Sequence, residues 1–146
     1  STVYMPEALA PQGDLTTQKP SPLQVADLKY GLRIAREIGK LDIGQTVIVL
    51  DGAVVALEAI EGTDACIQRA GQLTAGRGGV VVKVAKPEQD MRFDVPAIGV
   101  QTVVNIKNAG LTVLGIEAQR TLMLEPQSII EKANAEGICI VGLDSE

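Results

Sequence analysis

The chain contains no histidine. That absence excludes Ser-His-Asp hydrolysis, Cys-His nucleophilic catalysis, His-ligated zinc and imidazole acid–base chemistry. Tryptophan is absent too, and aromatics make up 2% of residues against a hydrophobic share of 46%, so a core must be built from Val, Ile, Leu and Ala. Fifteen glycines beside that aliphatic supply suit a sheet packed against helices and argue against disorder. No apolar run is long enough, or free enough of Asp, Glu, Lys and Gly, to span a bilayer.

The opening Ser1-Thr2-Val3-Tyr4-Met5-Pro6 lacks the charged and apolar regions of a signal peptide. Ser1 is not a natural initiator, so the chain is expected to be a piece of something longer. Cys66 and Cys139 lie far apart within apolar patterns and are expected to be buried free thiols of a cytosolic protein, a disulfide being the alternative. A net charge of −5 disfavours nucleic acid as a partner.

At 146 residues the length suits one domain with a substantial core. Residues 1–20, with Pro6, Pro11, Gly13 and Pro20, read as an extended arm or interdomain linker, leaving 21–146 as the folded domain. Ser21-Pro22-Leu23-Gln24 carries an N-cap, an N1 proline and a capping-box glutamine. Val25, Leu28, Leu32 and Ala35 follow at helical spacing, and Gly39 supplies the stop. Thr46–Leu50 and Ala53–Ile60 are β-rich runs about Asp51-Gly52, a strong hairpin signal.

Thr63-Asp64 caps a helix to about Leu73, and Gly76–Gly79 turns into a strand from Val80 to Ala85. A short helix runs from Gly99 to Ala109, followed by a second expected hairpin, Leu111–Glu117 with Thr121–Leu124 about Gln119-Arg120. A helix from Pro126 to Glu136 and a strand Ile138–Leu143 close the chain. The pattern predicts an α/β fold, with a mixed β-sheet and short hairpins packed against about four helices.

Charge is spread unevenly. Asp51, Glu58, Glu61 and Asp64 form an acidic block with no base, and Arg69, Arg77, Lys83, Lys86 and Arg92 outnumber Glu88 and Asp90 in the next stretch. Acids followed by bases suit a divalent cation beside a phosphate, since Mg²⁺ takes oxygen ligands while Lys and Arg neutralise the rest. Two solvated faces of opposite sign are the plain alternative. Glu58 and Lys83 stand in runs apolar on both faces, where an unpaired charge costs several kcal/mol, so each needs a partner. They either pair with each other across the sheet, lie at frayed edges, or serve as a metal- or proton-handling carboxylate beside a phosphate-binding ammonium.

Three segments are placed for anions. Gly76-Arg77-Gly78-Gly79 could form a backbone nest with Arg77 in it, although it has no Walker pattern and also reads as a plain turn. Glu61-Gly62-Thr63-Asp64 joins a strand end to a helix start, where free N–H groups favour anions; Asp64 there also reads as a helix-end stabiliser. Gln89-Asp90-Met91-Arg92-Phe93-Asp94 supplies two carboxylates and a guanidinium where a buried strand empties, the edge at which open α/β sheets put ligands. These are the residue types of water-mediated phosphoryl transfer.

Asp51-Gly52, Glu58-Ala59-Ile60-Glu61-Gly62-Thr63-Asp64, Lys83-Val84-Ala85-Lys86-Pro87 and the block from Gln89 to Gly99 together resemble one family. It is the C-terminal domain of the bacterial UDP-2,3-diacylglucosamine pyrophosphatase that replaces the calcineurin-like enzyme in many lipid A pathways. The likeness covers about Leu23 to Leu143 and implies that the family's N-terminal domain is a missing partner. It implies a Mg²⁺- (or Mn²⁺-) dependent hydrolase in which water attacks the phosphorus nearer the sugar, giving lipid X and UMP.

The essential aspartate of that family falls on Asp90 or Asp94, with Asp90 favoured as metal ligand or water-orienting base. Lys83 joins them as a catalytic candidate. Glu58, Glu61 and Asp64 are candidate further metal ligands, and Lys86, Arg92, Gln89, Thr63 and Arg77 candidate substrate contacts. The resemblance implies a cytoplasmic site, peripheral on the inner membrane, with the membrane surface and a second copy of the chain as further candidate partners. The rival expectation is a non-catalytic nucleotide-sugar or lipid-phosphate binding or dimerisation domain.

Overall fold

A computed structural model describes residues 7–86 and 95–144. The chain order begins with β1 (Glu7–Leu9), β2 (Gly13–Asp14), α1 (Pro22–Lys40), β3 (Thr46–Leu50), β4 (Ala53–Leu57), α2 (Thr63–Thr74) and β5 (Val80–Lys83). It continues with β6 (Ala97–Ile98), α3 (Val100–Asn108), β7 (Val113–Glu117), β8 (Leu122–Leu124), α4 (Pro126–Glu136) and β9 (Cys139–Leu143). The strands form a six-stranded sheet, β2-β9-β7-β5-β3-β4, and a three-stranded sheet, β1-β8-β6. The large sheet is mixed: β5, β7 and β9 run parallel, while β3 is antiparallel to both β4 and β5.

The expected capping box forms, with Ser21 Oγ accepting from Gln24 N at 3.2 Å and Gln24 Oε1 accepting from Ser21 N at 2.8 Å. Leu28, Gly31, Ala35 and Ile38 turn the buried face of α1 onto the sheet. A Cβ on Gly31 would sit 2.8 Å from Val82 Cγ2, so glycine sets how closely helix and strand approach. Strand alternation then divides the core into two layers. Val47, Val49, Val80 and Val82 pack towards α1, whereas Ile48, Val81, Leu114 and Ile140 pack with residues of α2, α3 and α4. Both faces of the central strands are therefore covered, and their sequences are correspondingly apolar.

The Asp51-Gly52 hairpin is present, with both residues at positive φ (51° and 82°) as its tight turn requires. A buried side chain that the sequence reading passed over braces it: Asp27 of α1 accepts from Asp51 N at 3.0 Å and Gly52 N at 2.9 Å.

The second expected hairpin does not form. β7 already has β5 and β9 on its two sides, so no edge remains for Leu122–Leu124, which instead centres the small sheet. Ala118 N donates to Leu143 O and Gln119 N to Ala10 O, both at 2.8 Å, and Gln119 turns through φ 65° as the chain leaves one sheet for the other.

Residues 7–20 are extended, but they are woven into the domain. β1 pairs antiparallel with β8 and β2 with β9, so one short stretch of chain touches both sheets. Leu15 N donates to Ile140 O, Ile140 N donates to Thr16 Oγ1, and Thr17 N donates to Asn134 Oδ1. The contact is close enough that a Cβ on Gly142 would collide with the carbonyl of Pro11, a backbone atom that cannot swing away. Gly142→Ala is therefore expected to destabilise the domain by about 1–3 kcal/mol. In urea unfolding the midpoint should fall with an unchanged m-value, and an unchanged midpoint would refute this account of the arm.

Candidate functional site

Lys83 is the last residue of β5 and lies opposite Thr46 in the antiparallel register with β3, so the two side chains share a face. Thr46 is fully buried, and its Oγ1 lies 3.1 Å from Thr63 Oγ1 on the first turn of α2. Thr63 Oγ1 donates in turn to Glu58 Oε1 at 3.4 Å, and Gln45 N donates to the same oxygen at 3.2 Å. Glu58 N donates to Thr46 O, so the Glu58 backbone and carboxylate are both tied to the start of β3. Gly44 is required here, because a Cβ on it would strike the Glu58 carbonyl.

This arrangement puts Lys83 within electrostatic reach of two carboxylates. Burial lowers the Lys83 pKa from its ordinary value, while Glu58 and Asp64 act in the opposite sense by favouring its charge. No ion pair within 4.0 Å relieves Lys83 among the described residues. The expected pairing of Glu58 with Lys83 across the sheet is not among the ion pairs of the described residues; Glu58 and Asp64 act on Lys83 through space only.

The other expected residues divide. Glu61 is held by Ala59 N at 3.0 Å and Arg69 Nε at 2.8 Å, which keep its carboxyl below the usual range. Arg69 also donates to Leu57 O, so this pair braces the loop between β4 and α2. Among the described residues no three of His, Cys, Asp and Glu are grouped so as to hold a metal ion. The trio of Glu58, Glu61 and Asp64 is thus not assembled as ligands.

Lys86 pairs with Asp42 at 3.5 Å near the strand exit. Arg77 stands at the other end of β5, before the strand begins, with its Nε bonded to Thr74 O at 2.8 Å. Gly76–Gly79 is consequently a helix-to-strand turn away from Lys83. Gln89, Asp90, Arg92 and Asp94 lie outside the described residues.

Cys66 and Cys139 are free and buried, as expected, and burial pushes the Cys66 thiol up to about 11, far from a reactive thiolate. A groove of about 770 Å³ opens between α2 and α3, lined by amide side chains including Gln68, Gln72, Asn105 and Asn108. Among the described residues, Asp64 is its one contact with the expected site.

Sequence reasoning missed Glu117, a 3%-exposed carboxylate at the end of β7 that accepts from Ala85 N at 2.8 Å and Arg36 Nε at 3.3 Å. Its signal was a lone charge closing the apolar run from Leu111. Thr46 was legible only as a strand residue until pairing placed it opposite Lys83.

Fold and residue placement define the class: an α/β domain with a half-buried lysine, two carboxylates and a helix N-terminus gathered where a parallel strand leaves the sheet. Residues 11–141 match the family model described as the LpxI C-terminal domain, and the chain belongs to that family. It is 41% identical over 149 aligned residues to the UDP-2,3-diacylglucosamine pyrophosphatase LpxI of Caulobacter vibrioides. That alignment takes in 97% of this chain and 53% of the relative, so the chain spans about half the relative's length.

Lys83 supplies a direct test of the site's electrostatics. A lysine whose folded pKa is depressed costs stability while it is charged, in full below that depressed pKa. Between the depressed value and 10.5 the unfolded chain binds more protons, so wild-type stability rises with pH there. Lys83→Met should therefore be more stable than wild type near pH 7, with the advantage narrowing as pH climbs towards 10.5. Urea unfolding of both proteins across that range measures it. An advantage absent at pH 7, or widening with pH, would contradict the burial of Lys83.

Proposed function

We propose that this domain is the hydrolytic half of an enzyme that splits the pyrophosphate bond of UDP-2,3-diacylglucosamine, giving lipid X and UMP for lipid A biosynthesis. The relative's name supports the substrate, and the family's designation as a C-terminal domain supports a second, N-terminal half as its working partner. The observation that carries the reading is a partly buried Lys83 at the exit of β5, opposite Thr46 and within electrostatic reach of Glu58 and Asp64.

In the proposed reaction, water attacks the phosphorus nearer the sugar, and the bridging oxygen leaves with UMP. Lys83, short of solvent and without a close ion-pair partner among the described residues, would neutralise charge that builds on the phosphoryl oxygens. A cation fixed in a poorly hydrated site needs little reorganisation to do this. Thr63, at the start of α2, adds a hydroxyl beside helix N–H groups that favour anions. Lys86 and Arg92 are the further cations for the diphosphate, with Gln89 as a neutral contact, while Arg77 is too far along β5 to share this end.

The oxygen donors fit Mg²⁺ or Mn²⁺ in part: the Glu58 and Asp64 carboxylates both act electrostatically on Lys83, whereas Glu61 is engaged by Arg69. Such an ion would be held by Glu58 or Asp64 together with Asp90, and would supply charge neutralisation at the diphosphate. Asp90 is the carboxylate that holds the ion or orients the water, with Asp94 as the alternative for that role. A diacylated substrate belongs at a lipid surface, and the proposed place of reaction is the cytoplasmic surface of the inner membrane; no helix among the described residues is long and apolar enough to cross a membrane. A homo-oligomer is compatible with this arrangement.

In the full-length protein, Asp90→Asn is expected to reduce Mg²⁺-dependent UMP release by about 10²–10⁴-fold with an unchanged circular dichroism spectrum. Undiminished turnover would remove Asp90 from the mechanism, and loss in Asp94→Asn alone would transfer the role to Asp94. Unchanged product formation after removal of this whole domain would favour the non-catalytic reading.

A further inference from the structure

The β5 strand ends at Lys83, yet the next three residues are each fastened by a different part of the fold. Val84 N donates to Gln45 O at 2.9 Å, Ala85 N donates to Glu117 Oε1 at 2.8 Å, and Lys86 pairs with Asp42 at 3.5 Å. The middle fastening is the unusual one. The parallel ladder between β5 and β7 pairs Lys83 with Ile116 and then stops. One residue further along β7, the Glu117 carboxylate takes the Ala85 amide in place of a main-chain carbonyl. The chain can thereby leave the sheet while its direction of exit stays fixed.

Glu117 is an expensive way to do this. It is almost wholly buried, and among the described residues its other oxygen is held by Arg36 alone, at 3.3 Å. Arg36 in turn reaches Asp144 O at 3.5 Å, so one carboxylate links α1, the exit of β5, the end of β7 and the chain just beyond β9. Apolar residues of similar volume commonly replace such a buried pair without loss of stability. The geometry therefore assigns Glu117 a placement role rather than a stabilising one.

We propose that Glu117 is a positioning residue for the reaction: by pinning the Ala85 peptide it fixes how Lys83 and Lys86 are presented to the anionic substrate. The proposal rests on the hydrolase reading above.

Two mild substitutions in the full-length protein separate reach from charge. Glu117→Gln keeps an oxygen at the right distance for Ala85 N but turns an NH2 donor towards Arg36 Nε, leaving that part-exposed guanidinium to solvent. Glu117→Asp keeps the charge but is shorter by one methylene, about 1.5 Å. Hydrogen exchange of the Ala85 amide reports the pinning directly, and kcat and KM for UMP release report the consequence.

The expected result is that kcat follows Ala85 protection. Glu117→Asp should lose protection and about 10²-fold in kcat with KM changed little, while Glu117→Gln keeps both to within about threefold. A variant that loses Ala85 protection but keeps kcat overturns the proposal, as does one that keeps protection but loses kcat. A wild-type protein that releases no UMP removes the hydrolase reading and this proposal with it. An active wild type whose variants break the correlation removes this proposal alone.

Discussion

Both faces of β5 are covered, by α1 on one side and by α2, α3 and α4 on the other, and that constraint decides where the strand can carry a charge. Val80, Val81 and Val82 obey it by being apolar and at most 1% exposed. Lys83 is tolerated because it falls where the helices end and polar neighbours begin. At that level Thr46 opens the antiparallel neighbour, Thr63 opens α2 and Glu117 terminates the parallel neighbour. The gathering of acids, hydroxyls and a cation at this edge follows from strand lengths and register. No single motif produces it.

The same constraint separates residues that look alike in sequence. Lys83 and Arg77 are six positions apart and flank one strand, yet they emerge at opposite ends of it. Glu58 and Glu61 are three positions apart, yet one is held by Gln45 and Thr63 and the other by Arg69. Charge counting alone groups all four. Strand direction and the path of a five-residue loop distribute them, and only the fold contains that information.

Much of the architecture was nonetheless legible. The Ser21–Gln24 capping box, the Asp51-Gly52 turn, and the pairing of Pro126 at a helix start with Gly137 at its end are local signals whose chemistry is complete within a few residues. The failed hairpin at 111–124 shows the limit of such signals. Its two runs were correctly read as extended, but pairing depends on which edges are free, and β5 and β9 had already taken those of β7. Asp27 and Glu117 escaped notice for a related reason. Their partners lie 24 and 32 residues away, so nothing beside them in the chain announces the need for a carboxylate.

The arm at the start of the chain has a consequence for how the molecule is made. Its partners, Met123, Asn134, Ile140 and Gly142, are separated from it by more than a hundred positions, so closing those contacts is entropically costly and depends on the remainder being in place. During synthesis β1 must therefore wait for β8, and β2 for the last strand, β9, to leave the ribosome. The first part of this domain to be translated is the last to lock.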